Sequence, residues 1–259
     1  MNTSIKKLDL TRTLFFDAEF VRRNETLQKD SDEYFLYRDK TKNKDTETCL
    51  SDEELFVHYK KNAALKPAYN RLVCISIGTI SPSEGGDVIL KSFTGDEEHI
   101  VKEFYKVMNP FVIQTQDGGS TGFKFDYLCG FNILGFDLPM IRYAAIKNNP
   151  DMLFASKGLP VDFNDSGKKP WELKTIIDLM DHFKGTYFYN VSLKEACYML
   201  GVPSPKTDID GSMVSEIYYT EENGLSLIEE YCKRDVLATI NIVKVLRGEP
   251  IVEQYVDRG

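Results

Sequence analysis

Paired cysteines are missing from this sequence. Its five cysteines, Cys49, Cys74, Cys129, Cys197 and Cys232, lie far apart, and no CxxC or Cys/His spacing suggests a zinc site or a disulfide framework. They read as reduced, mostly buried small hydrophobes. An excess of positive charge is also missing: the net charge is −8, which argues against a protein that coats long polyanions by neutralising phosphates. No apolar run is long enough for a signal peptide or a membrane span, so the default address is the cytoplasm. Repeats and low-complexity tracts are absent as well.

What is present is core material. The 259 residues are 42% hydrophobic and 28% charged, enough to bury a sizeable core without staples, and they read as one domain over 1–259. TLFFDAEF (13–20) has the character of a buried strand. LVCISIGTI (72–80) and GDVILKSF (86–93) read as two more, split by the turn-rich SPSEGG. Between the first two strands lies a polar insert at about 21–50, read as a solvated loop. It is followed by Ser51-Asp52-Glu53-Glu54, a capping box that opens a helix through Leu55, Phe56 and Tyr59.

Ile100, Val101, Phe104, Tyr105 and Met108 recur at helical spacing, and FKFDYLCGFN (123–132) resembles a fourth strand. GFDLPMIRYAAIKNN then starts a helix with Pro139 in its first turn. TIIDLM (175–180) reads as a short fifth strand, SLKEACYMLG (192–201) as a helix closed by Gly201, and SLIEEYCKRDVLATINIVKVLRG (226–248) as a long final helix. A meander followed by alternating strands and helices implies an α/β fold with a mixed five-stranded sheet flanked by helices, the order of a ribonuclease H-like fold.

Three acidic segments carry the chemistry. Asp17 and Glu19 sit at i, i+2 on a strand, so both carboxylates leave the same face of an apolar run, where two like charges need a cation. Asp137, just before Leu138-Pro139, would by itself suit a helix N-cap. Tyr231 and Asp235, at i, i+4, share one margin of the buried stripe Ile228, Cys232, Val236, Thr239 and Val243. Each signal alone has an ordinary structural reading. Together they supply four carboxylates from three elements, an all-oxygen set suited to magnesium or manganese. Two such ions about 4 Å apart could stabilise both the attacking and the leaving oxygen of a phosphodiester.

FFDAEF, GFNILGFDLP and YCKRD resemble, in order and spacing, the three motifs of the DEDD exonucleases, in the subclass with tyrosine in the third motif. The histidine subclass would carry its histidine where this sequence has Glu230. NAALKPAYNRLVCISIG, KKPWELKTIIDLM and GVPSPKTDIDGSMVSEIYY extend the resemblance, over nearly the whole chain, to predicted 3′-5′ exonucleases related to the proofreading domain of family B DNA polymerases. The resemblance implies that Asp17, Glu19, Asp137 and Asp235 hold two divalent cations, Mg2+ or Mn2+, with Asp17 bridging both and Asp137 acting through water. Tyr231 would orient the attacking water, and His58, His99 and His182 would have no catalytic part. Asn132 and Phe20 would contact the terminal nucleotide.

The implied function is removal of nucleotides from the 3′ end of DNA, preferably single-stranded. The same ligands would serve an RNA 3′-5′ exonuclease, and a non-catalytic nucleic-acid-binding module would be expected to have lost one of the four acids. Any replication or repair partner is unnamed by the chain. Trp171, with Lys168 and Lys169, is a candidate substrate contact beside its plainer role as a loop anchor. Asp208-Ile209-Asp210-Gly211 lacks the remaining ligands of a calcium loop and reads as a turn.

Overall fold

The computed structural model describes residues 5–42, 48–82, 86–109, 111–114, 120–149, 175–183, 190–204 and 211–259. Strand β1 (Thr13–Arg22) pairs antiparallel with β2 (Asn70–Ile80), which pairs antiparallel with β3 (Val88–Thr94). On its other side β1 runs parallel to β6 (Tyr127–Gly130), and β6 runs parallel to β7 (Ile176–Asp178). β1 therefore lies inside the sheet, bonded on both edges. The meander followed by two parallel strands is the ribonuclease H-like arrangement that the sequence implies.

Three details differ from the sequence reading. The main sheet has six strands, not five, because β8 (Val256–Asp257) adds in parallel to the edge of β3. The fourth strand is shorter than 123–132: Phe123 belongs to a separate hairpin of β4 (Phe111–Gln114) and β5 (Ser120–Phe123), and only Tyr127–Gly130 joins the sheet. The insert is not a plain loop. β1 continues to Arg22, and helix α1 (Asp32–Thr41), N-capped by Ser31, buries Tyr34 and Tyr37 against Leu55 and Tyr59 of α2 (Asp52–Asn62). The capping box at Ser51 and Glu54 is present as expected.

Period-two patterning splits β1 between two cores. Leu14, Phe16, Ala18 and Phe20 join the cluster built with α3 (Glu97–Met108) and α4 (Asp137–Asn148). Phe15 and Val21 face the other layer, formed by α5 (Leu193–Leu200), α6 (Val214–Thr220) and α7 (Gly224–Arg247). Asp17 and Glu19 fall in the same alternation as Phe15 and Val21, so they are aimed at α7.

Close seating of α7 depends on Gly78 in β2. A Cβ there would lie 2.7 Å from Val236 Cγ1 and 3.0 Å from Ile240 Cδ1, both on α7. Helix α6 is fixed at the end of β1, where the Arg22 N–H donates to Ser215 Oγ at 3.0 Å and the Tyr219 hydroxyl donates to the Arg22 carbonyl at 2.8 Å. The C-terminal segment is tied back to α7. Asn241 exchanges two hydrogen bonds with the Val252 backbone, at 2.9 and 2.8 Å. The buried Lys233 amine reaches both Glu229 and Asp257 at 2.7 Å.

Candidate active site

The centre of β1 supplies the first two acids. Asp17 lies opposite Ser76 and Glu19 opposite Cys74, and the pairing slips by one residue between Glu19 and Phe20. Such a bulge re-aims side chains locally and is common beside active sites. Asp137 comes from the start of α4, where it is the first helical residue. Phe136 occupies the cap position and makes no side-chain cap bond, so Asp137 is not the N-cap that its sequence position suggests. Its carboxylate instead draws on backbone amides of Asp137 itself and of Ala18 on β1, and it is 4% exposed. Tyr231 and Asp235, 5% and 7% exposed, project from α7 one turn apart, and the tyrosine hydroxyl donates to Asp235.

The three segments converge. Burial pushes the Glu19 carboxyl well up, and Asp17, Asp235 and Asp137 all add to the effect. Asp17 is raised for the same reason, first by burial and then by Asp137. Burial carries Asp137 up to about 8, with Asp178 and Asp235 contributing. The Tyr231 phenol is raised by burial and by Asp235, Glu19 and Asp17, so it keeps its proton at neutral pH and serves as a donor. Crowded, partly desolvated carboxyls of this kind are relieved either by protons or by a multivalent cation. The donor set is oxygen-rich and anionic, which fits a hard divalent ion.

One neighbour escaped the sequence reading. The Cys232 thiol donates to Asp17 Oδ2 at 3.3 Å and to the Asp17 carbonyl at 3.4 Å. Ligand atoms of Asp17, Glu19 and Cys232 lie within 4.8 Å of one another. The available signal was its position directly after Tyr231, on the stripe of α7 that faces β1.

Of the expected substrate contacts, Asn132 is partly exposed in the turn before α4, with a left-handed φ of 62°. Its side-chain oxygen occupies the space that a Cβ on Gly135 would need, at 2.5 Å. Phe20 is 5% exposed, within the main core, and meets Phe136 edge-on at 5.6 Å. Trp171, Lys168, Lys169, Asp208 and Asp210 lie outside the described residues. Among the described residues no helix is long and apolar enough to cross a membrane.

The chain belongs to a family of predicted 3′-5′ exonucleases related to the exonuclease domain of PolB, whose model matches residues 62–249. It is therefore a nuclease, and enzymes of this kind use divalent metal ions and take nucleic acid as substrate. The matched stretch contains Asp137, Tyr231 and Asp235 and begins after β1, the strand that carries Asp17 and Glu19. A similar solved structure is the family B DNA polymerase from the hyperthermophilic archaeon Pyrobaculum calidifontis, with a TM-score of 0.46 and 14% sequence identity. That match covers 91% of this chain and 27% of the polymerase, so the chain spans about a quarter of its length. No curated protein matches the chain.

Proposed function

We propose that the protein is a metal-dependent 3′-5′ exonuclease acting on DNA ends, preferably single-stranded. The observation that carries this reading is the convergence of Asp17, Glu19, Asp137 and Asp235 from β1, α4 and α7, with the first three raised by burial and by another of the four, and Asp235 buried beside them. These four carboxylates would hold the cations. Two magnesium or manganese ions bound there would lower the pKa of the attacking water and neutralise charge at the leaving 3′ oxygen.

The chain's own part is positional. Tyr231, protonated and tied to Asp235, presents its hydroxyl at the margin of the cluster and orients the water for in-line attack. Neither a histidine base nor a covalent intermediate is needed. Of the two candidate nucleotide contacts, Asn132 in the turn before α4 is the more accessible, whereas the Phe20 ring is largely enclosed by the core.

A time course on single-stranded DNA labelled at either end tests the reading, run with Mg2+, Mn2+ or chelator. The expected result is a metal-dependent ladder that shortens from the 3′ end. Cleavage of RNA but not DNA would reassign the substrate, and no cleavage of either would end the nuclease assignment for this site. For Tyr231→Phe the ring still packs but the hydroxyl is lost. Its kcat should fall about 10- to 100-fold with folding unchanged, the scale of a lost orienting group. Wild-type kcat in that variant would return Tyr231 to the core.

A further inference from the structure

A further buried carboxylate acts on Asp137, and it belongs to none of the three motifs. Asp178, the last residue of β7 and 5% exposed, directs both oxygens at the turn that leads into α4. Oδ1 accepts from the backbone N–H of Asn132 at 2.8 Å and of Met180 at 3.0 Å, and Oδ2 accepts from Leu134 at 2.9 Å. Asn132 turns the chain there with a left-handed φ of 62°, a conformation that asparagine adopts more readily than other non-glycine residues. From there the bonds run directly to the first helical turn. The Asn132 carbonyl accepts from Gly135 and Phe136 at 3.1 and 3.0 Å, and the Ile133 carbonyl accepts from Leu138 at 2.9 Å. Asp137 lies between Phe136 and Leu138, the last two donors of that chain.

We propose that Asp178 is a positioning residue for the metal centre, setting where Asp137 presents its carboxylate through the Asn132–Leu134 turn. The proposal rests on the exonuclease reading above. A charged oxygen pair that binds backbone amides on two sides is more rigid than any neutral replacement, and groups that orient a ligand from behind are typically worth about 10- to 100-fold in metal affinity or activity. Asp178→Asn is the informative change. It keeps the volume and one acceptor, but turns an NH2 group toward the amides of either Leu134 or Asn132, where a donor faces a donor.

The experiment measures Mn2+ binding to the full chain by calorimetry, beside wild type and Asp17→Ala, at a temperature where circular dichroism shows each variant folded. It then measures kcat and KM on a single-stranded oligonucleotide at saturating Mn2+. Asp178→Asn should bind Mn2+ about 10- to 100-fold more weakly and lose kcat on the same scale. A merely structural Asp178 would lower the melting temperature and leave the Mn2+ affinity of the folded protein at the wild-type value, and that result overturns the proposal while the exonuclease reading stands. A wild type that neither binds Mn2+ nor cleaves overturns both. If Asp178→Asn does not fold, hydrogen exchange on the wild type decides: Mn2+ should slow exchange of the Asn132 and Leu134 amides at least about tenfold, since a cation held by Asp137 locks the turn behind it. Unchanged exchange there overturns the proposal.

Discussion

Asp17→Ala should cut turnover by about 10³-fold or more, the scale expected when a group that holds transition-state charge is removed. Asp17 stands at the middle of β1, an interior strand of the sheet, beside Glu19 and Cys232 and within the field of Asp137. No other acid occupies that position on β1. The same change should leave the metal-free fold intact or slightly more stable, because it removes one member of a mutually repelling set. Loss of activity with an unchanged or raised melting temperature separates a catalytic effect from a folding defect. Activity at the wild-type level in Asp17→Ala would remove the carboxylate cluster from the mechanism.

Stability should depend on pH and on metal through the same acids. Asp17, Glu19 and Asp137 all have carboxyls raised above their ordinary values, Asp137 to about 8. A carboxyl raised on folding binds its proton more tightly in the folded state. Its contribution is therefore fully present below the ordinary carboxylate range near pH 4, and it is lost as pH rises through the folded value. For Asp137 alone the window runs from about pH 4 to about 8, with a slope of roughly 1.4 kcal/mol per pH unit within it. In a chain of this size that is a fall of about 3 to 6 °C in melting temperature per pH unit.

Asp137→Asn should flatten this part of the profile, so the difference between wild type and variant is the quantity to measure. A divalent cation replaces the protons, so Mn2+ at 100 times its Kd should add about 2.7 kcal/mol at pH 8. It should add much less at pH 5, where it must first displace protons. Identical melting profiles for wild type and Asp137→Asn, with no response to Mn2+, would show that these acids are not a coupled cation site.

Much of this was legible in the chain. The i, i+2 acids on an apolar strand, the capping box at Ser51, the helix end at Gly201 and the stripe from Ile228 to Val243 are local patterns, and the structure keeps them. What escaped depends on partners distant in sequence. Helix α1 buries Tyr34 and Tyr37 but exposes Phe35 and Leu36, so hydrophobicity alone gives no stripe to read. Its tyrosine hydroxyls find their partners in Asp52 and His58 of α2. β8 is two residues long, and its place at the sheet edge rests on pairing with Ile89 and Leu90 and on the bond from Lys233 to Asp257. The thiol of Cys232 reads as ordinary core until β1 is laid against α7, and the hold of Asp178 on the Asn132 amide shows only when β7 is laid against β6.

The C-terminal tie also bears on which ion the acids can accept. Lys233 lies two residues from Tyr231 and two from Asp235, a spacing that turns its buried amine to the other side of α7 from the acids. Glu229 and Asp257 bind that amine there, each at 2.7 Å. The strand at the sheet edge thus holds this ammonium on the side of α7 away from the acids, and leaves their negative charge to an ion that diffuses in.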